Sequence, residues 1–214
     1  MRSDAEQKLL EEMIDSVKPP DRSRGSLHYL LFTPFRYPPL PHGSRFGTRA
    51  EPGIWYGSES AVTVFAEVAY YRLVFLEGSA AELEPLHTDL TAFRIVIRTP
   101  RGVDLVSPPF ERHSAVIASP VSYAATQILG REMRSAGVHA FRYPSARDRE
   151  TGINVAAFDP AVFGRRQPRS LETWHCTATH DVVEFVRRDY FRQASHVFER
   201  RRFLVRGRLP APAV

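Results

Sequence analysis

Residues 55–75 read WYGSESAVTVFAEVAYYRLVF. The segment GIWYG has the look of a short strand, and the residues from 59 to 75 have the look of a helix. Ser58 or Ser60 can cap that helix, and Glu59 suits its positive end. From Ala61 to Tyr71 every residue is apolar or aromatic except Thr63 and Glu67. A helix this apolar is buried on most sides. Thr63 and Glu67 stand four apart and share one stripe. A carboxylate is costly to bury unless it is paired or hydrogen-bonded. The stripe therefore faces water, or Glu67 pairs with an arginine, or the stripe faces a cleft in which Glu67 works as an acid, a base or an electrostatic stabiliser.

Outward from this helix, strands and helices alternate irregularly. Residues 4–17 read as an amphipathic helix, with Leu9, Leu10, Met13, Ile14 and Val17 at helical spacing and Pro19 and Pro20 ending it. A first strand is expected around residues 27–32. Residues 34–53, PFRYPPLPHGSRFGTRAEPG, are too interrupted by proline and glycine for a regular helix. Long irregular segments in compact domains are more often functional than idle. Residues 92–97 and 103–106 read as strands. Residues 122–137 read as a helix with Ala124, Ile128, Leu129 and Met133 on one face and Gly137 as its stop. HAFRYP and GINVAAF are short β-runs joined by the polar SARDRET loop, and LETWHC suggests another strand. Residues 181–193 and 196–205 fit helix or strand. The pattern predicts an α+β fold with a mixed, mostly antiparallel sheet core and flanking helices. Neither GxGxxG after a strand nor GxxxxGK[ST] is present.

With 214 residues and 43% hydrophobic content, the chain suits one domain with a full core, the helix 4–17 and an arginine-rich extension 187–214 being appended. No stretch reaches the roughly 18 to 20 apolar residues of a membrane helix, and the N-terminus has no apolar signal core, so a cytoplasmic protein is expected. Cys176 is the only cysteine, so no internal disulfide is available. WHCTATH clusters His175, Cys176 and His180, but zinc needs about four ligands, and a buried thiol in a strand is the better reading; no metal is expected.

The net charge is +5, and only Lys8 and Lys18 among the basic residues are lysines. Arginine suits bidentate phosphate or carboxylate binding. Arg187, Arg188, Arg192, Arg200, Arg201, Arg202, Arg206 and Arg208 concentrate the excess in the C-terminal stretch. No helix-turn-helix, zinc finger or RNA-binding signature accompanies them. A non-enzymatic basic module binding nucleic acid is the rival to an enzyme, and a solvent-facing Glu67 would favour it.

Other candidate residues are spread along the chain. Arg45 lies in HGSRFGT between Gly43 and Gly47, where the backbone can approach a ligand, and suits a phosphate. Tyr56 ends the short strand and either stacks on a ring or packs in the core. Ser145 and Arg147 lie at the strand end RYPSAR; Ser145 can donate to a carboxylate or serve the turn. Asn154 begins the next strand. No Gly-x-Ser-x-Gly elbow surrounds Ser145, which disfavours a nucleophilic serine.

In order, the segments HGSRF, WYGSESAVTVFAE and RYPSARDRETGIN resemble the RES domain family, a name taken from Arg, Glu and Ser. The family pattern is a Gly-rich turn with arginine and an aromatic, a tyrosine with a glutamate eleven residues on, and a Pro-Ser segment before an asparagine; here these are Arg45 and Phe46, Tyr56 and Glu67, and Pro144 and Ser145 before Asn154. The helix with Thr126 and Gln127 also resembles longer members. The similarity runs from Leu27 to Phe158. It departs at Phe46 and Gly47, where many short members carry Trp-Asn. The resemblance implies an ADP-ribosyltransferase-like fold with NAD, as substrate, in a cleft. It implies a toxin of a type II toxin–antitoxin pair, with a cognate Xre-like antitoxin as partner. Arg45 would hold an NAD phosphate, Tyr56 would contact the nicotinamide end, Glu67 would stabilise the ribosyl cation, and Ser145 would position Glu67 or the ribose, with Asn154 supporting the ligand. ADP-ribose would pass to phosphate, water or a target protein.

Overall fold

A computed structural model describes residues 27–37, 39, 41–79, 85–148, 150 and 152–211. The helix expected over residues 4–17 lies outside the described residues. The elements run α1 (Tyr29–Arg36), β1 (Trp55–Ser58), α2 (Ala61–Glu77), β2 (Leu86–Arg94), β3 (Gly102–Asp104), α3 (Ser114–Ile117), α4 (Ala124–Ser135), β4 (Ala140–Pro144), β5 (Ile153–Ala157), β6 (Ser170–Ala178), β7 (Val182–Arg187) and β8 (Ser195–Glu199). The strands make two four-stranded sheets, ordered β1-β5-β4-β3 and β2-β6-β7-β8. Among the described residues only β3 and β4 pair in parallel. The fold is α+β with mostly antiparallel strands, as expected, but its strands divide between two sheets.

The apolar α2 explains this division. Ser60 caps it, its Oγ accepting the Thr63 N–H at 3.1 Å. Phe65, Ala66, Ala69, Tyr70, Leu73 and Leu76 pack against Trp174, Cys176, Val183, Phe185 and Phe198 of the second sheet. Each large side chain buried this way contributes about 1.5–3 kcal/mol. The alternation of Trp174, Cys176 and Ala178 along β6 marks the sheet face that receives the helix. Cys176 is thus a core thiol, and burial pushes its pKa up. Its neighbour His175 pairs with Asp89 at 3.0 Å.

Two expectations need correction, and one left open is resolved. The strand expected around 27–32 is helix α1, which runs through Pro34 to Arg36. Its apolar run is too short to separate strand from helix by period. The His28 ring accepts the Leu30 N–H, and Leu31 is fully buried, which anchors the helical turn. In α4 the buried face is Thr126, Gln127, Gly130 and Met133, whereas Ile128 is 59% exposed and Ala124 is exposed. Met133 and Leu129 pack in the apolar cluster around Phe46 and Phe141, as expected, and polar contacts of Gln127 and a backbone approach at Gly130 hold the rest of that face. Finally, residues 181–193 and 196–205 resolve into β7, β8 and a 3-10 turn, Arg200–Phe203.

Gly130 lies where α4 crosses the backbone of Phe46; a Cβ there would stand 1.9 Å from the Phe46 carbonyl oxygen. Neither backbone can move without shifting the neighbouring Arg45 turn. Gly130→Ala should cost about 1–3 kcal/mol by overpacking. Urea unfolding should show a lowered midpoint with unchanged slope; a midpoint at or above wild type would contradict this contact.

Candidate active site

The Thr63–Glu67 stripe of α2 faces the loop between β4 and β5, with Thr63 buried and Glu67 half-buried at the wall of a cleft. Thr63 is 1% exposed and donates through Oγ1 to Asp148 at 2.9 Å. One turn on, Glu67 Oε1 accepts two hydrogen bonds, from Ser145 Oγ at 2.7 Å and from Asn154 Nδ2 at 2.7 Å. Both donors are nearly fully buried. The surroundings fix each of them in turn. Ser145 Oγ accepts the backbone N–H groups of Arg147 and Asp148 at 3.1 and 3.0 Å. Its lone pairs are taken, so its single proton points to the carboxylate. Ser58 of β1 donates to Asn154 Oδ1 at 2.6 Å, which orients the amide with its NH2 toward Glu67. Strand register supplies the alignment, since Ser58 and Tyr143 both stand opposite Asn154. Among the described residues Oε2 of Glu67 accepts nothing. One carboxylate oxygen is therefore clamped, and the other is free for chemistry.

Arg45 is 8% exposed, an unusual burial for a guanidinium. Its Nη1 donates to the carbonyls of Ile117 and Ser119 at 3.1 and 2.9 Å, and the guanidinium lies 4.7 Å from the Tyr123 ring centre. No carboxylate pairs with it among the described residues, and Nε and Nη2 carry no bond there. Arg45 sits in a tight turn. Ser44 N–H donates to the Gly47 carbonyl at 2.7 Å, and Gly43 takes a φ of 72°, open to glycine without strain. Gln127 Nε2 braces the turn by donating to the Ser44 carbonyl at 3.1 Å.

The Tyr56 hydroxyl completes the brace. It accepts the Phe46 N–H at 3.2 Å and shares a 2.9 Å bond with Ser44 Oγ. Burial pushes this phenol up to about 12, so it stays neutral. The resemblance placed Tyr56 at the nicotinamide end; in the structure its ring lines the cleft while its hydroxyl holds the arginine turn.

Arg45, Tyr56, Glu67 and Asn154 line one cleft of about 760 Å³, with Tyr71, Tyr123 and Tyr143 as further walls. Ser145 lies directly behind Glu67. All five candidates from the sequence thus come together. Volumes of this order hold small-molecule ligands and cofactors. A larger cleft of about 960 Å³ adjoins it across Tyr56, Gly57 and Ser58. There the Arg142 guanidinium is neutralised by Glu59 at 2.7 Å and Asp104 at 2.9 Å. The smaller cleft is the one with a free carboxylate oxygen and an unpaired buried cation. Sequence reasoning offered Ser58 only as a helix cap and passed over Tyr123 and Asp148; all three act through partners distant in the chain. Gln127 carried a signal, as an uncharged polar residue in a helix of otherwise conventional pattern.

Tyr56→Phe should leave the Phe46 N–H buried without an acceptor, at a cost of about 1–3 kcal/mol. The pH dependence follows from the same burial. Tyr56 and Tyr70 both rise from 10.0 to about 12, so the unfolded chain ionises first and stability falls as pH climbs from 10 to 12. Melting curves across that range should show the decline, less steep in Tyr56→Phe; an equal slope in the two proteins would contradict the assignment.

No helix among the described residues is long and apolar enough to cross a membrane. None of the curated proteins compared with the chain matches it. The sequence pattern of the RES domain matches residues 19–179. That stretch spans α1 to β6 with Arg45, Glu67 and Ser145 inside it, and β7 and β8 follow it. The match covers most of the chain, and the protein belongs to the RES domain family.

Proposed function

We propose that the protein consumes NAD by cleaving its nicotinamide–ribose bond. The observation that carries this reading is the half-clamped Glu67, with Oε1 held by Ser145 and Asn154 and Oε2 free, in the same cleft as the unpaired Arg45. The pyrophosphate of NAD would take the open edge of Arg45, whose Nε and Nη2 suit two phosphate oxygens. As the C–N bond breaks, its electron pair returns to the nicotinamide ring nitrogen and neutralises the pyridinium. Positive charge moves to the ribose as oxocarbenium character, and a fixed carboxylate stabilises it without reorganising. The aromatic walls Tyr71, Tyr123 and Tyr143 limit water around the reacting centre. ADP-ribose then joins an acceptor oxygen from phosphate, water or a target protein. Ser145 has its proton committed to Glu67, which argues for a positioning role rather than a nucleophilic one. No step calls for a metal.

We further propose the biological setting that the family resemblance implies, a growth-inhibiting toxin held in check by a cognate Xre-like antitoxin. The rival reading, a basic module on nucleic acid, loses ground to the charge pairing of the C-terminal arginines. Arg187 pairs with Glu172 and Asp189, Arg188 with Asp89, Arg200 with Glu77, and Arg201 with Glu199.

Glu67→Gln removes the charge and keeps the shape. Nicotinamide release from purified protein, followed by chromatography, should fall by about 10²-fold or more. Expression of the wild type should stop growth, and expression of the variant should be tolerated. A folded variant that releases nicotinamide at the wild-type rate, or is equally toxic, would overturn the proposal.

A further inference from the structure

Asp148 is 6% exposed and stands three residues past Ser145, in the loop that clamps Glu67. Its Oδ2 accepts from Thr63 on α2, and its Oδ1 accepts from Arg202 Nη2 at 2.8 Å. Arg202 belongs to the 3-10 turn Arg200–Phe203, beyond the stretch matched by the family pattern. That turn is firmly seated on α2. Arg200 pairs with Glu77 at 2.7 Å, Phe203 packs beside Tyr70 with ring centres 6.1 Å apart, and the Tyr70 hydroxyl donates to the Pro210 carbonyl. The C-terminal segment therefore grips the helix that carries Glu67 and reaches into the loop that carries Ser145.

We propose that Arg202 is a positioning residue for Glu67, acting through Asp148 and the Ser145 turn; the activity it serves is the one proposed above. The physical reason is charge. Thr63 supplies Asp148 with one neutral hydrogen bond, and Arg202 supplies the counter-charge that a buried carboxylate requires. Without it, Asp148 is an uncompensated anion and relaxes toward water. Its backbone N–H is one of the two that fill the lone pairs of Ser145 Oγ. The Gly152 N–H donates to the Asp148 carbonyl at 3.0 Å, and the Ser145 N–H donates to the Gly152 carbonyl at 2.8 Å, so the loop moves as a unit. When it loosens, the Ser145 proton no longer points at Oε1 and Glu67 loses half its clamp. Arg202 touches neither the free Oε2 nor Arg45, so NAD binding is left largely intact.

The side chain of Arg202 is 41% exposed, so substitutions there should fold. Arg202→Met should lower kcat for NAD consumption about tenfold or more, by analogy with the loss of a supporting partner behind a metal ligand, with KM changed less than about threefold. Arg202→Lys keeps the charge and should recover most of the rate. In a Ser145→Ala background, Arg202→Met should cost less than about twofold further, because both act through one contact. Hydrogen exchange at the amides of Arg147 and Asp148 should speed up in Arg202→Met, a readout independent of NAD. Wild-type kcat in Arg202→Met, losses that multiply in the Ser145→Ala background, or unchanged exchange at those amides would each overturn the proposal. If the wild type consumes no NAD, the function proposed above fails, and the exchange result alone decides the role of Arg202.

Discussion

A carboxylate on a helix that is otherwise apolar constrains much of what surrounds it. Glu67 is half-buried beside the packed Phe65, Ala66, Ala69 and Tyr70, where a carboxylate without donors is costly. Two neutral donors, Ser145 and Asn154, meet that need on one oxygen. Their neutrality matters. An arginine on Glu67 would have satisfied burial equally well but would have cancelled the charge that a developing cation needs. The β4–β5 loop, with Ser145 N–H on Gly152 and Gly152 N–H on Asp148, is shaped to deliver those donors.

Charge is partitioned across the protein in the same sense. Several arginines of the C-terminal region are matched by carboxylates. Inside, Arg45 at 8% exposure and Arg147 at 3% have no carboxylate partner among the described residues. Both are held by carbonyls of the stretch 117–120 and by aromatic rings, Tyr123 for Arg45 and Tyr70 for Arg147. Carbonyls and ring faces orient a guanidinium without neutralising it. Of the two, Arg45 lines the cleft and can receive an anion supplied from outside, such as the pyrophosphate of the NAD proposed above.

The α+β class was legible in the irregular mix of short strands and helices, and the candidate residues in the order of several local features: an apolar helix broken by Thr63 and Glu67, glycines around Arg45, a Pro-Ser turn before Asn154. What stayed hidden depends on chain pairing over long distances. Ser58 reaches Asn154 only because β1 pairs with β5, and Arg202 reaches Asp148 only because the second sheet returns the chain to α2. Helix α1 was missed because eight residues carry too little periodicity to outvote an apolar run. The face of α4 was only half legible: Leu129 and Met133 pack inward, but Ala124 and Ile128 are exposed, because Gln127 and Gly130 are buried for a hydrogen bond and a close approach, which a hydrophobic count does not weigh.

The central claim is that Arg45 and the free oxygen of Glu67 address opposite ends of one NAD molecule. The direct measurement is a crystal structure of Glu67→Gln soaked with NAD, since that substitution preserves shape while slowing turnover. The account predicts the pyrophosphate against Arg45 and the nicotinamide ribose facing position 67 from the Oε2 side, between Tyr56 and Asn154. NAD bound instead in the larger cleft beside Arg142, or held away from Arg45 with position 67 turned elsewhere, would contradict it.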